Sequence, residues 1–401
     1  TYGRGAYELT PAVPATIQFA TTSYSVSESA GSVSLVLSRT GDTLSPTTVS
    51  YSSSDTAATN NCNVFDGRAS SSCDYATLVG TVRFAPGETS KTISVLVVDD
   101  RYAEGNEQFS LTLSNVVGAT MGTPGTATVT INDNDTGTSV NPLSQPGFFV
   151  RQHYLDFFSR ESDPSGMGFW TDQITSCGSD SSCIELRRIH VSAAFFLSIE
   201  FRQTGYLVYR MYKAAYGNVP GTVVPLRFNE FLPDTQEIGL GVVVGQLGWE
   251  QLLENNKNQL AANFVSRARF TAAHPTTLSP TQFVNALFEN AGVTPSASDL
   301  QAAIAEFGAG ALNTIDTAAR GRALRRVAEN SALERAEFNR AFVLAQYFGY
   351  LRRNPDDAPD NNLDGYNFWL NKLNQFDGNF INAEMVKAFI DSGEYRSRFG
   401  L

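Results

Sequence analysis

The feature that most constrains this chain is a series of alternating apolar runs, some of which stop at acidic clusters. Val33, Leu35 and Leu37 alternate with Ser34, Val36 and Ser38. The same period of two returns at Val49-Tyr51, Val82-Phe84, Ile93-Val95-Val97, Phe109-Leu111-Leu113 and Val129-Ile131. With Phe19 and Tyr24-Val26 in front, this makes about seven short strands separated by Gly, Pro, Asn and Asp turns, the pattern of a Greek-key sandwich. Two of the runs end at Asp99-Asp100 and at Asp133-Asn134-Asp135. Carboxylates gathered where strands end contribute little to a fold but are good ligands for a hard cation.

The acids near strand ends are Glu28, Asp55, Asp74, Asp99, Asp100, Glu104, Glu107, Asp133 and Asp135. In a sandwich of alternating strand direction, loops from every other junction meet at one end, so several of these carboxylates can share a rim. Like charges that close raise one another's pKa and destabilise the fold unless a cation neutralises them. Calcium, taking roughly six to eight oxygens in flexible geometry, meets that need better than magnesium or zinc. The alternative for any single Asp is a turn cap with no metal.

Ser25-Val26-Ser27-Glu28-Ser29-Ala30-Gly31, Asp99-Asp100, Glu104-Gly105-Asn106-Glu107-Gln108-Phe109-Ser110-Leu111 and Ile131-Asn132-Asp133-Asn134-Asp135 together resemble a Calx-beta domain over residues 15–136. The resemblance implies an immunoglobulin-like sandwich of the kind found in sodium–calcium exchangers, integrin subunits and secreted bacterial proteins. It also implies calcium at one end, held by Glu28, Asp55, Asp74, Asp99, Asp100, Glu107, Asp133 and Asp135; Glu104 is a weaker candidate from its place near a strand end. The number of ions stays open.

The chain has 401 residues, enough for two or three domains, with 42% hydrophobic and 17% charged residues and a formal net charge of -11. That excludes a dominantly disordered chain and offers no basic field for nucleic acid. No apolar stretch is long enough to span a membrane. A chain starting at Thr1 fits a processed secreted protein or an excised fragment. Cys62 and Cys73 form one close pair and Cys177 and Cys183 another, which reads as two local disulfides made in an oxidising compartment, against four free buried thiols. The expected location is secreted, extracellular or cell-surface. Residues 1–14 form an extended segment before the sandwich: a leader, a linker or a strand added to another copy. Asn134-Asp135-Thr136 is a nominal glycosylation sequon.

A linker is expected at 137–147, and strand periodicity then stops. Apolar residues recur at helical spacing from Phe149 to Phe158, and Asp163-Pro164-Ser165-Gly166 breaks that helix. Residues 148–401 read as an all-α domain of degenerate helical repeats, in units of about 148–201, 206–270, 283–338 and 342–395. Phe149 to Arg160 answers Phe342 to Arg353. Gly166 to Trp170 answers Gly365 to Trp369, and Ser198, Glu200 and Phe201 answer Ser392, Glu394 and Tyr395. The aromatic residues are read as core and not as a sugar platform; His153 and His190 as packed or half-exposed, and His274 as part of a turn. This pattern resembles the DUF4214 domain, which implies a bacterial surface or secreted protein and carries no catalytic residues. Asp360-x-Asn362-x-Asp364-Gly365 matches the first half of an EF-hand loop, but Asn371 stands where the bidentate Glu belongs. A weak calcium site and an Asx-rich turn both remain open there.

No Gly-x-Ser-x-Gly elbow, His-Glu-x-x-His, phosphate loop or dinucleotide fingerprint occurs, so the chain is not expected to be an enzyme. The leading expectation is a calcium-stabilised structural subunit of a bacterial surface layer, sheath or filament, partnered by copies of itself. The alternative is a calcium-dependent adhesin that binds a glycan or protein.

Overall fold

The computed structural model describes residues 13–55, 62, 65–136 and 140–400. The extended segment expected at 1–14 lies almost wholly outside the described residues, as does 137–139 of the expected linker. Contacts divide the chain into two compact units, Thr1–Asp99 with Ala103–Thr136, and Asp100–Tyr102 with Gly137–Leu401.

The first unit is a sandwich of two sheets. Its strands are β1 (Thr16–Phe19), β2 (Ser23–Ser27), β3 (Ser32–Thr40), β4 (Thr47–Ser53), β5 (Val79–Phe84), β6 (Ser90–Leu96), β7 (Glu107–Val117), β8 (Thr120–Met121) and β9 (Thr126–Asn132). One sheet runs β6-β3-β1-β8 and the other β2-β9-β7-β4-β5. Pairing is antiparallel except for β1 with β8 and β2 with β9. Alternation along β3 turns Val33, Leu35 and Leu37 inward, where they meet Val95, Phe109, Leu111 and Val129 in one core. Tyr75, outside any strand, completes that core by stacking on Phe109 with ring centroids 3.9 Å apart.

Register fixes what lies at each end of the sandwich. Ser27 at the end of β2 pairs with Asn132 at the end of β9, and Glu107 at the start of β7 pairs with Ile131. Ser53 at the end of β4 pairs with Leu111, and Leu96 at the end of β6 pairs with Ser32. The segments that follow β2, β4, β6 and β9 and precede β7 therefore share one end.

The described part of the second unit is helical. Helix Pro146–Phe158 starts on a proline, which is pre-organised for the first helical turn, and ends at Ser159 in a left-handed conformation. Asp163 caps the next helix, Pro164–Thr175, by accepting the Gly166 amide at 2.8 Å. Within the expected linker, Asn141, Pro142 and Leu143 are buried, and the Asn141 amide donates to Arg396 O at 2.8 Å and Gly400 O at 2.7 Å. Cys62 is bonded to Cys73, and Cys177 to Cys183. Among the described residues, no helix is long and apolar enough to cross a membrane.

Several buried polar groups in this unit are paired. Arg398 donates to both oxygens of Asp156, at 3.0 and 2.9 Å. His153 lies within 2.7 Å of Phe149 O through Nδ1, which therefore carries the proton. Its Nε2 lies 3.0 Å from the Ser192 hydroxyl and 3.2 Å from the Tyr350 hydroxyl, which bond each other so that one of the two donates to it. Burial pushes the His153 imidazole down from 6.5 to about 4. His190 is exposed, and His274 is buried with Nε2 on Ala215 O at 2.7 Å.

Two outcomes follow from these pairs. An imidazole kept neutral in the fold but free to protonate when unfolded contributes stability that is complete above 6.5 and is lost as pH falls toward about 4. Urea unfolding followed by circular dichroism is expected to show that acid-side loss, and His153→Gln to flatten it. Asp156→Ala leaves the Arg398 guanidinium buried without its carboxylate, and the same measurement is expected to show a loss of roughly 3–5 kcal/mol.

Candidate metal centre

The acids singled out by the strand pattern fall mostly on one end of the sandwich. Glu28 opens the short 3-10 turn after β2, Asp55 follows β4, Asp99 follows β6, Glu107 begins β7, and Asp133 and Asp135 follow β9. Asp74 lies in the long segment before β5. Glu28, Asp55, Asp74 and Glu107 are buried, whereas Asp99, Glu104, Asp133 and Asp135 are half-buried.

Within this set, Glu28, Asp99 and Asp135 bring one carboxylate oxygen each within 4.8 Å of one another. A second gathering centres on Asp74. Its carboxyl stands well above the usual carboxylate range, chiefly because it is buried and next because of the charge of Glu107; Asp55 adds to the effect, and the Ser70 amide opposes it. Asp74 and Glu104 also bring oxygens within 4.8 Å. Asp100 is buried, belongs with Arg101 and Tyr102 to the second unit, and accepts the Tyr102 amide at 2.7 Å.

Backbone amides aim several of these groups. Ser71 N donates to Asp55 at 3.1 Å, and Ser70 N donates to Asp74. Asp133 accepts the amides of Gly105 at 2.7 Å and Asp135 at 2.7 Å, which ties the end of β9 to the segment before β7. Asp133 thus holds the loop that carries Asp135. Asn134 donates to Asp99 at 3.3 Å. The orienting residues Ser70, Ser71 and Gly105 escape sequence reasoning, because an amide donor has no side-chain signature and only the folded loop reveals it.

The donor set is all carboxylate, with neither imidazole nor thiolate, and it crowds like charge at buried positions. That chemistry fits a hard divalent cation and not zinc. In the second unit, Asp360 is engaged by Arg353 at 2.8 Å and Asn362 accepts the Asp364 amide at 2.7 Å. Asp364 then begins helix Asp364–Gln375.

Residues 12–135 match the family model of the Calx-beta domain. Calcium is the cofactor of this module, and the module is non-catalytic. Mouse sodium/calcium exchanger 1 is 35% identical over 131 residues, covering 28% of this chain and 12% of the exchanger. Mouse extracellular matrix organizing protein FRAS1 is 37% identical over 124 residues, covering 30% and 3%; human FRAS1-related extracellular matrix protein 2 is 36% identical over 119 residues, covering 29% and 4%. The chain thus spans a small fraction of these relatives. The crystal structure of the apo-form Calx CBD1 domain is 28% identical, with a TM-score of 0.27, and covers 30% of this chain and 99% of that one.

These matches correct two expectations. The relatives found are vertebrate exchangers and matrix proteins, not subunits of a bacterial surface layer, sheath or filament, so that reading is withdrawn. The DUF4214 resemblance is withdrawn as well, since the family match ends at residue 135. The physical reason lies in what carried it: Arg160 and Glu200, or Arg353 and Glu394, pin helices together. A packing pattern of that kind does not identify a lineage.

Asp133→Asn keeps the side chain's size but weakens its hold on the two loop amides. It is expected to lower calcium affinity roughly 10–100-fold, as removal of an outer-shell orienting group does. Calorimetric titration with calcium checks this.

Proposed function

We propose that this chain is a calcium-stabilised, non-enzymatic part of an extracellular adhesive or matrix protein, binding a glycan or protein partner. The observation that carries the reading is the convergence of Glu28, Asp99 and Asp135 within 4.8 Å at one end of the sandwich. Asp74, Asp55, Glu107 and Glu104 supply a neighbouring set of oxygens, and Asp133 braces the loop. Calcium bound there replaces repulsion among carboxylates with shared coordination, so the sandwich end becomes rigid when the ion is present.

The protein is extracellular or at the cell surface. Its two disulfides suit that compartment, and the matrix proteins among its relatives support it. An adhesive role accords with those relatives.

A ligand that binds only the folded state raises stability by mass action, about 2.7 kcal/mol at a hundred times its dissociation constant. Melting of the intact protein in calcium and in EGTA is the test. A higher melting temperature in calcium, reduced in the Glu28→Gln/Asp99→Asn double variant, is expected. Equal melting temperatures in the two conditions would contradict the reading.

A further inference from the structure

The helical unit builds one local arrangement twice. In the first, Arg160 reaches both oxygens of Glu200 at 2.7 and 2.7 Å while its guanidinium lies 4.9 Å from the Tyr154 ring. In the second, Arg353 reaches both oxygens of Glu394 at 2.6 and 3.0 Å and lies 5.5 Å from the Tyr347 ring. A Cβ on Gly166 would clash with Tyr154 Oη, and one on Gly365 would meet Tyr347 Oη at 2.7 Å. Ser198 and Ser392 each cap a short helix and donate back to Phe195 O at 2.7 Å and Phe389 O at 2.8 Å.

Packing explains all of these residues but one. Phe169 stands edge-on to Trp170 with centroids 4.7 Å apart, and Phe368 stands the same way to Trp369 at 4.9 Å. Both phenylalanines are 56% exposed. The expectation that every aromatic residue here is core fails at this one position, and it fails in both copies. Phe169 borders an open pocket of ≈ 450 Å³ whose walls include Phe158, Asp163, Trp170, Ile199 and Val244. That volume is within the range of small-ligand sites. Arg160 and Glu200 neutralise each other on its wall. Asp163 is held below the usual carboxylate range, first by the Ser165 hydroxyl and then by the Gly166 amide, so it stays ionised.

We propose that this pocket is a binding site for a neutral saccharide. A pyranose offers its apolar C–H face to the ring faces of the exposed Phe169 and the half-buried Trp170, and a rim of hydroxyls to Asp163 and Arg160. An acidic sugar would meet the Asp163 charge unfavourably. The proposal names the ligand class that the adhesive reading leaves open and rests on that reading.

Trp170 lines the pocket, so tryptophan fluorescence of the intact protein reports occupancy. Titration with maltose, cellobiose and diacetylchitobiose is expected to give a saturable change with at least one sugar, and calorimetry one site per chain. Phe169→Ala should abolish binding, whereas Phe368→Ala, at the matching exposed phenylalanine that does not line this pocket, should leave it intact. Circular dichroism and the melting temperature should be unchanged in both variants, because both rings are exposed. No saturable change with any of the three sugars, or undiminished binding in Phe169→Ala, overturns the proposal. A protein silent to sugar whose melting temperature still rises with calcium would overturn the saccharide site alone.

Discussion

The crowding of carboxylates at one end of the sandwich is the constraint from which the function of the first unit follows. Burying Asp74 beside Glu107 and Asp55 raises its pKa well above the ordinary carboxylate range, so the fold carries an electrostatic cost there. A proton shared between Asp74 and Glu107 relieves part of that repulsion. A bound calcium would relieve it while adding rigidity, because a shared ion couples loops that are far apart in sequence but adjacent through the strand register.

The helical unit handles charge differently. Its buried and half-buried acids meet guanidinium groups: Asp156 with Arg398, Glu200 with Arg160, Asp234 with Arg267, and Glu394 with Arg353. Each of these pairs is internally neutralised. Asp360 lies in a stretch whose sequence resembles a calcium loop, and there Arg353 engages its carboxylate just before helix Asp364–Gln375.

How much was legible beforehand follows from the range of the forces involved. The alternation of Val33, Leu35 and Leu37 announced an inward-facing strand, because burial on one face imposes a period of two. The acids at strand ends were legible for the same reason, since strand direction decides which ends meet. The two-residue β8, the core role of Tyr75 and the amides that aim Asp55, Asp74 and Asp133 were not, as each depends on a loop closing over a distance that local pattern does not encode. Asn141 read as linker yet is buried, since its hydrogen-bond partners lie near the far end of the chain. The aromatic residues read as core, and the exposure of Phe169 and Phe368 against their buried neighbours required the folded surface.

The central claim is that calcium sits among the rim carboxylates of the sandwich. Anomalous diffraction from crystals grown in calcium tests it most directly. The account predicts an anomalous peak bonded to oxygens of Glu28, Asp99 and Asp135. A map with no peak at that end of the sandwich, at saturating calcium, would contradict it.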